Sequence, residues 1–280
     1  MRPPAVLACL LLGGAALMPR AAAAEPADAP AWVIDPARPG DSLPPAGGSL
    51  FDALFAEARA GGSVHRLPFP FEALLARVDA QLAGGPMRRV LIPLGRSLQR
   101  TAAGPEAFRF PRYLAVVDAE PAPGALLLKD RLYIGYQEKT AVLEVISYNE
   151  AAGRFEFQLV KDYRAGARPQ VFYANRHVCF ACHQNGAPIF SRASWDETNA
   201  NRAIAAQLAA EGRAFHGFAA ARGVDTPYAI DVGVRRANRL ALTQRLWREG
   251  CGGGEAGQRC RAGLFAAALR QRLADGHAPP

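Results

Sequence analysis

Residues 175–190 read NRHVCFACHQNGAPIF, with Cys179 and Cys182 three positions apart and His183 directly after the second. A structural disulfide, a zinc knuckle, a redox pair and a covalently attached haem all use cysteines at this spacing. Two intervening residues put both thiols on one side of a single turn, where each can add across a vinyl group of a porphyrin to form a thioether. A histidine directly after the second cysteine then lies under the ring and can give a nitrogen to the iron. In that chemistry Cys179 and Cys182 are covalent anchors and His183 is the proximal ligand.

The competing chemistries find less support along the chain. Zinc sites need four ligands, and His65, His177, His216 and His277 are dispersed. A thioredoxin-like pair belongs at a helix N-terminus after a parallel strand, whereas the strand runs here read as antiparallel. A disulfide across two residues is strained and leaves His183 without a purpose.

The compartment points the same way. The chain opens MRPPAVLACLLLGGAALMPRAAAAEP, with Arg2 before an apolar stretch from Ala5 to Met18. Ala22 and Ala24 then supply the small residues of a cleavage site, so residues 1–24 are expected to be a signal peptide. The apolar run is shorter than the roughly 20 residues a membrane span needs. The protein is therefore expected to be exported to the periplasm, with no integral membrane segment. Cys9 would leave with the signal, and four cysteines would remain. Cys251 and Cys260 flank CGGGEAGQRC and are expected to form a structural disulfide, which leaves Cys179 and Cys182 to the cofactor.

Through Cys179-Phe180-Ala181-Cys182-His183 the chain resembles the c-type cytochromes, over that motif alone. The resemblance implies one covalent haem c and one-electron transfer with a periplasmic redox partner. Small all-helical members carry the motif near the N-terminus and a ligating methionine downstream. Here a β-rich region precedes the motif, and Met87 is the one methionine outside the signal. The order along the chain is closer to the β-sheet cytochromes whose haem motif comes late. Some of those crosslink the haem to a lysine, for which Lys129, Lys139 and Lys161 are the available residues. With no downstream methionine, the distal position is expected to be open or held by His216 in RAFHGF. An open position carries the alternative function, a haem enzyme or sensor that binds a small oxidant or other small-molecule ligand.

Around the motif, Arg164, Arg168, Arg176 and Arg192 could pair with haem propionates. Tyr173, Phe180, Phe190 and Trp195 could wall the porphyrin, and Gln184 and Asn185 could hydrogen-bond near the iron. The formal charge of +8 falls to +6 without Arg2 and Arg20. Arginines scattered along the sequence, with no nucleic-acid motif beside them, argue against a nucleic-acid partner.

The elements that must position these residues follow from periodicity. Residues 25–48 carry six prolines and read as an extended arm. SLFDALFAEARAGG and FEALLARVDAQLAGG read as short helices stopped by glycines. From Arg89 to Tyr163 the runs RVLIP, YLAVVD, ALLLK, RLYIGY, AVLEVISY and RFEFQLV read as strands. NEAAG between the last two suits an antiparallel hairpin with a longer loop. Beyond the motif, SWDETNANRAIAAQLAAEG reads as one helix with Ser194 and Glu197 as its capping box and Gly212 as its stop. A further helix is expected from Asp225, and a last one over GLFAAALRQRLADG. The expected fold is α+β over residues 49–280: an antiparallel β-rich N-terminal half, a helical C-terminal half, and the haem motif at the junction.

Overall fold

The computed structural model describes residues 44, 46–60, 62–95, 102–174, 176–190 and 193–274. The expected signal, and the arm apart from residues 44 and 46–48, lie outside the described residues. A six-stranded antiparallel meander forms the centre, with each strand beside its neighbour in sequence. Its strands are β3 (Arg88–Ile92), β4 (Arg112–Val116), β5 (Leu132–Gln137), β6 (Val142–Asn149), β7 (Arg154–Lys161) and β8 (Gln170–Tyr173). The hairpin expected at NEAAG joins β6 to β7, with Asn149 paired to Arg154 and Gly153 at φ +58°. Every residue of β5 is buried, because both faces of the sheet are covered. Its sequence, LYIGYQ, accordingly shows no clean alternation.

Two rows of cross-strand neighbours define the faces. Leu91, Tyr113, Tyr136, Leu143, Val160 and Val171 share the front. Val116, Tyr133, Ile146 and Phe157 share the back. The front is covered by α1 (Leu50–Phe55) and α2 (Phe71–Asp79). Phe71 lies 4.8 Å from Tyr136 and 6.1 Å from Tyr113 between ring centroids. Ser49 caps α1 reciprocally with Asp52, its Oγ accepting from the Asp52 N–H at 3.1 Å while its own N–H donates to Oδ2 at 2.8 Å. The helix expected to run to the Gly61-Gly62 stop ends at Phe55, and the chain pairs instead as the ribbon β1 (Ala56–Arg59) with β2 (Gly62–His65).

After the sheet come α3 (Arg176–Phe180), α4 (Ser194–Glu197), α5 (Arg202–Ala210), α6 (Asp225–Cys251) and α7 (Gly254–Ala274). α6 lies against β3 and β7. Its Gly233 passes close to Tyr133 on the back face, and Arg236 grips Asp130 and Asp118 at 2.5 and 3.0 Å.

Three further expectations are corrected. ALLLK forms no ladder, because Ala125 turns back on Ala122 (3.0 Å) and Arg131 on Leu128 (2.9 Å). The helix from Ser194 is two pieces. Ser194 is buried and donates to the Pro227 carbonyl at 2.9 Å rather than capping, and Asn201 caps α5 by accepting from the Ala203 N–H at 2.9 Å. The last helix starts nine residues earlier than GLFAAAL, at Gly254, so Cys260 sits within it. The disulfide itself joins Cys251 to Cys260, with Cα atoms 5.6 Å apart.

Candidate haem-attachment site

The motif hangs from the edge where β8 stops short of β7. Ala174 still donates to the Phe157 carbonyl at 2.8 Å, and α3 follows beside the unpaired start of β7. Arg176 fastens it there, its Nη1 donating to the Phe155 carbonyl at 2.7 Å and to Glu156 Oε2 at 3.0 Å. Its guanidinium also lies over Phe180 (4.7 Å) and Phe157 (5.6 Å). The helical turn runs on past α3: the Cys179 carbonyl accepts from the N–H groups of Cys182 (3.2 Å) and His183 (2.8 Å). Cys179, Cys182 and His183 therefore stand at i, i+3 and i+4, on one side of the turn. Cys179 is half-buried and Cys182 exposed, both as thiols.

Gly186, at φ +63°, then reverses the chain, donating to the His183 carbonyl at 2.7 Å. The reversal brings the buried Ala187 carbonyl to 2.8 Å from His183 Nδ1. A carbonyl can only accept, so Nδ1 carries the proton and Nε2 the lone pair. Ligating histidines take this tautomer, with the second nitrogen fixed by a backbone oxygen. The imidazole packs on Phe157 of the back face, centroids 5.2 Å apart. Burial lowers its pKa; the Ala187 bond opposes this, Arg112 reinforces it and Glu144 opposes it. The net shift is downward, which favours the neutral ring. One half-buried thiol, one exposed thiol and one oriented imidazole on a single turn are the donor set that a haem c attachment site would use.

His216 is not part of this site. It lies under the front face, with its ring 5.0 Å from Tyr113 and 5.7 Å from Tyr136. Tyr136 and Tyr133 are three residues apart on β5 and so face opposite ways, and Phe157 shares the row of Tyr133. The sheet therefore stands between His216 and His183, and the structure does not bring the two together. His216 is held instead by both Glu72 carboxylate oxygens at 3.1 Å from Nδ1. Its Nε2 is 3.5 Å from Glu138, a charge contact rather than a hydrogen bond.

Tyr173 also points to the front, bonded to Asp52, and does not wall a cofactor on the back. His65 is on the front too, its Nε2 2.7 Å from Asp52 Oδ1. Met87 is buried at the end of α2, where its N–H donates to Asp79 at 2.8 Å. Trp195 is exposed, Arg164 pairs loosely with Asp162 at 3.7 Å, and Phe190 packs at the core margin. Arg192 and His277 lie outside the described residues, as does the His177 side chain. Among the lysines, Lys129 pairs with Glu120 and Lys139 with Glu106, while the β7 position of Lys161 puts it on the back face with Phe157.

Two parts of the site escaped the sequence reading. Asn238 of α6 donates to the Pro188 carbonyl at 2.8 Å and accepts from Asn185 at 3.3 Å, so it holds the loop that presents Ala187 to His183. Arg112 crosses β5 to reach Glu144 at 2.7 Å, which puts an ion pair beside His183. A Cβ at Gly135 would meet that guanidinium at 2.6 Å, so the strand glycine is the signal that could have marked the crossing. No protein-family model, curated protein or solved structure matches the chain.

Proposed function

We propose that the protein is an exported, single-haem c-type cytochrome-like protein that passes one electron at a time between periplasmic partners. The observation that carries this is His183: it follows two thiols on one turn, and its Nδ1 proton is committed to the Ala187 carbonyl at 2.8 Å. Haem c, when attached, supplies a one-electron iron couple. Cys179 and Cys182 anchor it, His183 presents Nε2, and Arg176, Phe157 and Phe180 stiffen the turn. Expression with periplasmic haem-attachment machinery tests the reading. Haem should survive acid–acetone extraction and denaturing electrophoresis in the wild type and be lost in Cys179→Ala/Cys182→Ala. Mature protein with no covalent mass increment under those conditions overturns it.

A second reading, a ligand-binding haem enzyme or sensor, draws support from one observation. Among the described residues, His65 and His216 lie on the front of the sheet and Met87 at the end of α2. None of them is placed to take the distal position opposite His183. Carbon monoxide binding to the reduced protein, unchanged in His216→Ala, favours this reading. A six-coordinate iron that excludes carbon monoxide favours the carrier.

A further inference from the structure

α7 is 21 residues long, yet only Gly257 within it is buried. Phe265, Leu269 and Leu273 recur every four residues and are 64%, 49% and 73% exposed. With Ala262 and Ala266 they make an apolar stripe along the C-terminal half of the helix at about 100° per residue, while Leu264, also exposed, stands on the opposite side. Arg261 and Arg272 flank it on one side, Arg259 and Arg270 on the other. Residues 239–274 hold seven arginines and two glutamates, a formal +5 of the chain's +8. Charges that look scattered along the sequence are thus gathered on the end of α6 and on α7. Arg270 and Arg272 meet no carboxylate among the described residues, and Arg261 turns back on the Gly252 carbonyl at 2.8 Å.

We propose that the apolar stripe and flanking arginines of α7 dock the protein on an anionic lipid surface. An amphipathic helix lying in the membrane interface buries an apolar stripe while its cations meet the headgroups. Guanidinium matches phosphate geometry with two parallel bonds, and the arginine stems let the charged ends rise beside buried apolar side chains. Charge complementarity selects this occupant. α7 itself carries four arginines and one glutamate, so a second copy would set +3 against +3, whereas a phosphate plane meets both arginine flanks at once. The mode is peripheral, in keeping with the finding that no helix among the described residues can cross a membrane. It does not depend on the haem reading.

The test is vesicle co-sedimentation of the exported full-length protein with its disulfide intact. One vesicle population is equal parts phosphatidylglycerol and phosphatidylcholine, the other phosphatidylcholine alone. At about 0.1 M salt, where charges act over ~10 Å, the anionic vesicles should bind at least about tenfold more tightly. Arg270→Glu/Arg272→Glu should weaken that binding by about 25-fold or more, at about fivefold per arginine lost. Phe265→Ser should weaken it while leaving helix content and the disulfide unchanged. Equal binding to both vesicle types, no binding to the anionic one, or normal binding by the charge-reversed variant overturns the proposal. Binding to an acid-rich protein with no vesicle binding assigns the surface to a protein partner instead and likewise overturns it.

Discussion

Glu138→Gln probes the front-face cluster that holds His216 on the opposite side of the sheet from His183. Glu138, in the turn after β5, accepts from Arg213 Nη2 at 2.8 and 3.0 Å and from the Tyr113 hydroxyl at 3.2 Å. The neighbouring His216 and the Arg213 bonds outweigh burial and hold its carboxyl at about 2, against an ordinary 4.5. That gap corresponds to ~3.4 kcal/mol at 1.36 kcal/mol per pH unit in a fully shielded site. The cluster is partly open to water, and solvent screening reduces the figure to about 1–2 kcal/mol. A depressed carboxylate contributes stability that is present above 4.5 and lost as pH falls towards 2. For His216, burial lowers the pKa, but the contacts with Glu138 and Glu72 raise it above 6.5 overall. Its contribution is therefore full below 6.5 and lost as pH rises through the raised value. The two limbs overlap, so the wild type should exceed Glu138→Gln most between pH 4.5 and 6.5, by about 1–2 kcal/mol. Urea unfolding of both proteins at about pH 3, 5.5 and 9 measures this, with denaturant slopes compared to exclude a change in the unfolded state. A difference constant across the three pH values would refute the linkage, and the charged cluster with it.

Asp52→Ala should cost about 3–5 kcal/mol, because it strands His65, Tyr173 and Gln158 in the front core; thermal melts check this, and the visible spectrum should not move. Asn238→Ala should cost about 1–2 kcal/mol for the lost loop bonds and, in the haem-loaded protein, should shift the iron–histidine stretching band, whereas a purely structural role predicts an unmoved band. Replacing Cys251 and Cys260 with serine removes a short-loop constraint of about 2–3 kcal/mol. The loss should appear as faster amide exchange in α7, with core strands and the haem spectrum almost unchanged.

The strands from β3 to β7 were legible because a half-buried strand announces itself in short β-branched and aromatic runs. ALLLK carries the same composition but is spent on turns around a single buried plug, Leu128, which no local pattern reveals. The capping-box spacing at Ser194 failed for a tertiary reason: the Pro227 carbonyl, 33 residues away, takes the hydroxyl. The placement of Cys179, Cys182 and His183 together on one turn could be read whole, since it is local. The separation of His216 from His183 could not. It depends on which face of the sheet each histidine meets, and that is fixed by strand register rather than by spacing in the sequence. The loop partner Asn238 was invisible for the same reason, lying 50 residues from Pro188.

The sheet keeps two polar sites apart while building both from adjacent residues. On β4, Arg112 faces the back beside His183 and Tyr113 faces the front beside His216. On β5, Gly135 lets Arg112 across the back while Tyr136 packs on His216 in front. One strand pair therefore sets the field at the candidate ligand and cages a second histidine that never meets it. Both faces are sealed by buried side chains, so neither site can drift towards the other without breaking strand pairs. The motif itself is less constrained, since it hangs from the β7–β8 edge by Arg176, the Ala174 bond and Asn238. The Ala187 acceptor holds His183 in one tautomer but belongs to a loop, not to a strand. An imidazole oriented by a loop on a rigid sheet edge can be adjusted without refolding the core, so the loss at Asn238→Ala should be local to the loop that presents Ala187 to His183, with the core strands unchanged.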